Sequence, residues 1–234
     1  MPEIGSSARA WVCGEAVQRI GRAILFGLLC TTLLSASPVR AQKKAAALER
    51  GEAAQELADQ SIACLKQGED LQDKQAKLAE YRQGLDLAQR AVVADDSNAD
   101  AHFAVFANEG RIMLLEGAVP NPLNLLKINR ELDRCLQLNP NHADALAAQG
   151  GLYRQLPWVL GGDLDKAQTA LNRAIELDPT AVGARIELAQ LYRDRGQPTR
   201  SVELLREAAT IAESMNKQRQ LGEAQRLLTE LQSQ

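Results

Sequence analysis

The two histidines of this 234-residue chain are the first residues that could do chemistry. His102 and His142 each lie two residues from an aspartate, Asp100 and Asp144 respectively. Imidazole and carboxylate groups brought together by stacked helices could bind a divalent metal ion. Both histidines also stand near predicted helix starts, where polar side chains are common, so we expect them to be exposed and structural. The sequence therefore predicts no metal site.

A second candidate is the glycine pair that precedes Asp163. Gly161 and Gly162 are typical of a loop that binds phosphate, but a carboxylate at the start of a helix repels an anion. We expect Asp163 to cap the following helix instead. The chain has no Walker A or dinucleotide-binding glycine pattern, no CxxC motif and no HExxH motif. We therefore expect neither catalysis nor a bound cofactor.

The composition indicates that helices must position whatever site the chain has. Apolar residues make up 45% of the sequence and aromatic residues 3%, and alanine and leucine dominate. Alanine and leucine favour helices, whereas the β-branched and aromatic residues that favour strands are few. A net charge of −3 gives no electrostatic attraction to nucleic acid. The composition predicts an all-α protein without a nucleic-acid partner.

Residues 1–41 have the features of a secretory signal peptide. Three arginines precede an apolar stretch from Ala23 to Leu34, which is too short for a permanent transmembrane helix. Small residues at Val39 and Ala41 predict cleavage after Ala41, with a cut after Ser37 as the alternative. The mature protein would then be periplasmic or secreted. An uncut signal would instead anchor the chain to the inner membrane, as for a membrane-bound assembly factor.

Two cysteines, Cys64 and Cys135, lie after the predicted signal. An oxidising compartment permits a disulfide between them. Cysteine on an alanine-rich helix is more often a small buried apolar residue, and we expect that role for both.

A repeated unit organises most of the remaining sequence. Leu138-Asn139-Pro140 and Leu177-Asp178-Pro179 are 39 residues apart, and each ends an amphipathic segment. A segment of small residues follows each turn and begins another predicted helix. Asp95-Asp96 ends an earlier segment in the same way. The pattern predicts hairpins of two helices, with each hairpin joined to the next by a turn that contains Asp or Asn.

These hairpins resemble the tetratricopeptide repeat (TPR), a 34-residue unit with small, aromatic and proline residues at fixed positions. The third unit matches at Gly150, Tyr153, Ala167, Leu171, Ala174 and Pro179, and the fourth at Ala189, Tyr192, Ser201, Leu205 and Ala208. The second unit matches at Leu132, Cys135 and Pro140, and the first at Gly84, Ala88, Ala91 and Asp96.

The resemblance implies an all-α, right-handed superhelical solenoid of TPR-like hairpins, with about nine helices in all. Residues 42–78 are assigned to an N-terminal helical segment and residues 216–234 to a C-terminal capping helix. The repeats between them cover 79–98, 99–142, 143–181 and 182–215. Gly68-Glu69-Asp70 is expected to separate two helices of the N-terminal region.

The second and third units are longer than the consensus, and both carry their extra residues between the two helices of the hairpin. The insertion in the third unit contains Leu156 to Gly162, with Trp158 among them. Loops at one edge of a solenoid often determine which partner the protein binds. We expect Trp158 to pack back over its own hairpin, with a partner contact as the alternative.

The resemblance also implies a concave surface formed by the first helix of each hairpin, where proteins of this family bind partners. Those positions, together with the inserted tryptophan, give the candidate partner-binding residues Arg154, Gln155, Trp158, Ile186, Gln190 and Arg193. The Lys and Asn pattern with which some relatives hold a peptide carboxylate is missing.

We therefore predict an exported, non-catalytic adaptor that binds a protein or peptide partner and leave its oligomeric state open. The main alternative is a periplasmic ligand-binding accessory protein. The inserted loop from Leu156 to Asp163 gives it some resemblance to the T component of tripartite transporters.

Overall fold

The computed structural model describes residues 38–117 and 122–233, and all regular structure in these ranges is helical. The predicted signal residues 1–37 lie outside them. The described helices are α1 Pro38–Asp70, α2 Lys74–Ala94, α3 Ala99–Glu116, α4 Pro122–Leu138, α5 Ala143–Gln155, α6 Leu164–Leu177, α7 Val182–Asp194, α8 Pro198–Ser214 and α9 Gln218–Gln232. A single 3₁₀ turn, Trp158–Leu160, lies between α5 and α6. The predicted all-α helical repeat fold is confirmed.

The chain divides into two units, Met1–Glu49 and Arg50–Gln234. The described part of the first unit is the beginning of α1, and the predicted cleavage point after Ala41 falls within that helix. The second unit holds four consecutive helical pairs, followed by α9. The part of α1 from Arg50 onward pairs with α2, α3 with α4, α5 with α6, and α7 with α8.

The N-terminal region is itself a hairpin. We expected a break at Gly68-Glu69-Asp70, but α1 continues through Asp70 and the chain turns at residues 71–73. Within the last turn of α1, Gly68 leaves room for the Tyr81 ring of α2, since a Cβ at Gly68 would lie 2.4 Å from Tyr81 Cε1. Helix α2 also spans the 78/79 boundary that the sequence predicted between segment and repeats.

Buried hydrogen bonds join the first hairpin to the second. Ser61 Oγ on α1 donates to the Gly84 carbonyl on α2 at 2.7 Å, and Asn108 Nδ2 on α3 donates to Ser61 Oγ at 3.0 Å. All three residues are buried. Because a shift of one helix would leave these polar groups unpaired, the contacts fix the register of the three helices.

Small residues form the contact surfaces between helices, as the repeat pattern predicts. Many buried alanines have no exposed surface, among them Ala88, Ala104, Ala145, Ala174 and Ala208. Tyr153 and Tyr192 occupy matching places in the third and fourth hairpins and pack on the same apolar cluster around Leu171 and Leu188. A cation from the second helix lies over each ring, Lys166 at 5.8 Å and Arg200 at 5.4 Å from the centroid.

The capping helix and the cysteines agree with the sequence analysis. Helix α9 buries Ala224 and Leu227 against Leu205 and neighbouring residues of α8, while several of its other residues are exposed. Cys64 and Cys135 are buried free thiols. Burial raises the pKa of Cys64, with a smaller contribution from nearby Glu80. The buried apolar role expected for both cysteines is therefore confirmed.

Three turns between hairpins share one geometry. At the first residue of each turn, the side-chain oxygen of Asp95, Asn139 or Asp178 accepts the amide of the residue two positions ahead, at 2.9, 3.1 and 2.8 Å. The backbone amide of the same residue closes the preceding helix by donating to a carbonyl four residues back. These turns set the spacing of the stacked hairpins.

Candidate partner-binding cavity

A concave cavity of about 380 Å³ lies inside the second unit. Its lining comes from α1, α3, α5, α7 and α9, the first helix of each hairpin and the capping helix. Apolar side chains form much of its wall: Leu65, Phe103, Phe106, Leu152 and Ile186. The repeat geometry thus turns one face of every first helix toward a common space, which we call the concave cavity.

Polar side chains are distributed around this apolar wall. Arg111 of α3, Gln155 of α5, Glu187 of α7 and Arg219 of α9 all line the cavity. Gln155 Nε2 donates to Glu187 Oε1 at 3.4 Å. An apolar surface with a few polar groups at its margin is typical of sites that bind peptide segments or small molecules.

The structure places the predicted binding residues in three different settings. Gln155 and Ile186 line the concave cavity, as the inward positions of the repeat imply. Arg154, Gln190 and Arg193 instead form a polar cluster between the third and fourth hairpins, and Trp158 lies in the loop after α5.

Arg154 is fully engaged by the neighbouring hairpin. Its Nε contacts Glu187 Oε2 at 2.9 Å, its Nη1 contacts Asp194 Oδ2 at 3.1 Å, and its Nη2 donates to Gln190 Oε1 at 3.3 Å. The side chain is 10% exposed, and Arg193 pairs with the same Asp194 at 3.3 Å. A partner that bound Arg154 would have to displace these carboxylates. Arg154 therefore links the third hairpin to the fourth.

Trp158 does not pack back over its hairpin, and that expectation was wrong. The indole side chain is 84% exposed, and Val159 and Leu160 beside it are also exposed. The loop holds them outward because Gly161 adopts a φ of 95°, with its amide donating to the Trp158 carbonyl at 3.1 Å. Asp163 caps α6 through the amides of Asp165 and Lys166, as predicted, and its pKa is lowered chiefly by the Lys166 amide.

Neither histidine is exposed, which corrects the sequence-based expectation: His102 is buried, and the His142 side chain is 11% exposed. His102 is 4% exposed, with Nδ1 2.7 Å from Glu131 Oε2 and Nε2 3.0 Å from the Asp96 carbonyl. His142 caps α5 by accepting the Ala145 amide at Nδ1, and its Nε2 lies 3.0 Å from Asp100. Stacking places both helix starts against the adjacent hairpin, so each imidazole ring contacts a neighbouring element.

His142 and Asp100 perturb each other. Burial lowers the pKa of His142, but the Asp100 hydrogen bond and nearby Cys135 outweigh burial and raise it to about 10. The same hydrogen bond is the main cause of the lowered pKa of Asp100. A ring protonated on both nitrogens cannot also accept the Ala145 amide, so ion pairing with Asp100 and capping of α5 exclude each other.

Much of the cavity lining was not predicted from the sequence. The residues of α3 that correspond to inward-facing residues of α5 include Phe103, Ala107, Gly110 and Arg111. These four residues line the cavity. The spacing between the turns at Asp96 and Pro140 aligns α3 with α5, and this alignment predicts their inward positions. The residues of α1 and α9 could not be found in this way, because their approach depends on the curvature of the whole stack.

No group of three or more His, Cys, Asp or Glu residues in the described ranges could hold a metal ion. Among the helices that the structure describes, none is long and apolar enough to cross a membrane.

The stacked hairpins define a helical-repeat protein. The family model described as tetratricopeptide repeat matches residues 160–180, which cover the capping residue Asp163, helix α6 and the Asp178 turn. The match shows a tetratricopeptide repeat unit within the third hairpin.

Three solved structures illustrate the likeness. They are pilF of Pseudomonas aeruginosa (18% identity, TM-score 0.49, 78% of this chain and 78% of that chain), a thermophilic TPR protein of Thermus thermophilus (21%, 0.48, 67% and 83%) and MamA (20%, 0.42, 67% and 81%). No curated protein matches the sequence.

Proposed function

We propose that this protein is an exported, non-catalytic TPR adaptor that binds an extended segment of a protein partner in the concave cavity. The observation that carries the proposal is the cavity lining, which comes from the first helix of every hairpin. Apolar side chains of the partner would contact Phe103, Phe106 and Leu152, which are partly exposed. Its polar groups would contact the polar side chains that line the cavity. Affinity then comes from buried apolar area and hydrogen bonds, without a chemical step.

Gly110 offers a clean test of this site. It lines the cavity, and a Cβ built on it would meet nothing within 4 Å. A Gly110→Leu substitution therefore fills the cavity from an unstrained helical position. Gly222→Leu is the matched control, because Gly222 lies on α9 with equally open space but does not line the cavity.

The measurement is recovery of partners by tagged full-length protein from an envelope extract after cross-linking. We expect Gly110→Leu to lose partner proteins at least tenfold while Gly222→Leu retains them. Equal recovery by the two variants would show that partners bind elsewhere on the molecule.

A second candidate function is small-ligand binding, as in the periplasmic accessory protein considered from sequence. The cavity volume of about 380 Å³ favours it, because small-molecule sites span roughly 300 to 1,000 Å³. Under this function, a small-molecule set should raise the melting temperature with no protein partner present. Gly110→Leu should abolish the increase, and a persistent increase would exclude the cavity as the ligand site.

Export rests on the pattern of residues 1–41. N-terminal sequencing of protein isolated from the cell envelope tests it directly. A start at Gln42 or Pro38 supports cleavage and a periplasmic or secreted protein. A start at Met1 in the membrane fraction supports the signal-anchored assembly factor instead.

A further inference from the structure

Three charged side chains connect the two ends of the repeat stack. Glu69 lies near the end of α1, and its two carboxylate oxygens contact Arg111 of α3 and Arg219 of α9. The Glu69 to Arg219 contact is 3.0 Å long and spans 150 residues of sequence. We call Glu69, Arg111 and Arg219 the clasp. Both arginines also line the concave cavity, so the clasp stands at its margin.

The clasp region carries an excess of positive charge. A smaller pocket of about 150 Å³ adjoins it and is lined by Lys77, Tyr81 and the three clasp residues. Lys77, Arg111 and Arg219 thus line this smaller pocket with one carboxylate, that of Glu69. Glu223, which lines the concave cavity, approaches Arg219 at 3.8 Å. Each arginine side chain is 39% exposed, so an incoming anion can reach it.

Arg154 provides the contrast within the same molecule. It is 10% exposed and satisfied by Glu187, Asp194 and Gln190 of one hairpin. The clasp arginines instead share the Glu69 carboxylate between helices that are far apart in sequence, and only Arg219 has a second, longer contact, with Glu223 of its own helix. An incoming carboxylate can therefore replace Glu69 without loss of contacts between the third and fourth hairpins.

We propose that Glu69 occupies the position of an acidic side chain of the partner, and that a segment with a carboxylate next to apolar residues displaces it. The carboxylate contacts Arg111 and Arg219, and the apolar neighbours pack on Leu114 and Phe106. Leu114 lines the cavity beside Arg111 and is 75% exposed, which leaves apolar surface for that contact. Charge complementarity assigns the surface to an acidic peptide, and the assignment rests on the proposed peptide-binding function.

The test uses two labelled short peptides, one that alternates leucine with glutamate and one that alternates leucine with glutamine. Binding to the full chain is measured by fluorescence anisotropy. Glu69→Gln removes the competing charge, and Arg219→Gln removes an anchor. Arg173→Gln is the matched control, because Arg173 is a paired surface arginine on α6 that does not line the cavity. Circular dichroism verifies that each variant folds.

We expect the wild-type chain to bind the glutamate peptide more tightly than the glutamine peptide. Glu69→Gln should bind the glutamate peptide about fivefold more tightly, the factor expected for a partly exposed ion pair. Arg219→Gln should bind it at least fivefold more weakly, and Arg173→Gln should match the wild type. Equal affinity for the two peptides, or no effect of Glu69→Gln, would overturn the clasp proposal.

The Gly110→Leu variant distinguishes failure of the clasp proposal from failure of the proposed peptide-binding function. If Gly110→Leu abolishes binding of both peptides while the charge variants change nothing, the cavity binds peptides and the clasp has no role. If neither peptide binds any variant, both proposals fail for peptides of this chemistry. If succinate alone raises the melting temperature of the wild type but not of Arg219→Gln, the site takes a free organic anion and the peptide assignment is wrong.

Discussion

The two edges of the repeat stack differ in how much they vary. At the edge where one hairpin leads to the next, Asp95, Asn139 and Asp178 make the same side-chain contact with the amide two residues ahead. At the other edge, the loops within hairpins range from the three-residue link at 71–73 to the ordered turn around Trp158. The first edge must be uniform because it sets the distance between stacked hairpins. The second edge is free to vary, and it presents the exposed apolar residues of the third hairpin.

The largest loss of stability is expected from a substitution that displaces the backbone of the loop between α5 and α6, on the variable edge. A Cβ at Gly162 would lie 1.8 Å from the Leu156 carbonyl oxygen and 2.6 Å from its carbon, so Gly162→Ala must displace the backbone before α6. We expect the free energy of unfolding to fall by about 2 to 4 kcal/mol in urea denaturation. Gly222→Ala, with open space around its Cβ, should not destabilise the protein. A loss below about 0.5 kcal/mol for Gly162→Ala would contradict this packing.

The uniform edge should respond equally at equivalent positions. Asp95→Ala removes the acceptor of the Ser97 amide and hydroxyl, and Asp178→Ala removes the acceptor of the Thr180 amide and hydroxyl. Each substitution should cost about 1 to 2 kcal/mol, measured by urea denaturation. Asp178→Asn retains a side-chain oxygen and should cost less. Clearly unequal losses at the two aspartates would show that the turns are not equivalent.

Acid should weaken the same edge through its two aspartates. Hydrogen bonds from the Ser97 side chain and the Thr180 side chain are the main causes of the lowered pKa of Asp95 and Asp178. A carboxylate with a lowered pKa stabilises the fold above the ordinary aspartate value of 3.8, and this stabilisation is lost as the pH falls through the lowered pKa.

Melting temperatures between pH 7 and pH 2.5 measure this effect. The wild type should lose stability at the acid end of this range. Asp178→Asn should lose less, because its amide does not titrate, just as Asn139 does not in the turn between them. An equally steep decline in the variant would show that other carboxylates dominate.

The smallest effect is expected at the tip of the variable edge. Because Trp158 is 84% exposed, Trp158→Ala should change the free energy of unfolding by less than about 0.5 kcal/mol. Urea denaturation followed by circular dichroism measures this without relying on the deleted indole. A loss above about 1 kcal/mol would mean that the side chain packs on the hairpin as the sequence had suggested.

The sequence predicts the uniform edge much better than the variable one. Leu177-Asp178-Pro179 and Leu138-Asn139-Pro140 locate their turns because a helix end, a side-chain acceptor and a proline are local features. The inward positions of α5 and α7 follow from the same register, which is why the sequence predicts the inward position of Gln155 and Ile186 on the cavity lining.

Other features depend on tertiary structure that no local pattern encodes. The outward position of Trp158 is set by the φ of Gly161 and the tight space at Gly162. The adjacent hairpin covers His102 and most of the His142 side chain. The clasp requires that four hairpins curve enough to bring Glu69 to Arg219.

The clasp also bears on how the molecule unfolds. In a repeat stack most contacts join neighbouring units, so the ends of the array can fray independently of its middle. The contact from Glu69 to Arg219 links positions 150 residues apart and raises the contact order of an otherwise local fold. Fraying of α9 must therefore break a tie to α1. A ligand that opens the clasp would lower the cooperativity of unfolding while it adds contacts of its own, so binding and fraying of the terminal helix are thermodynamically linked.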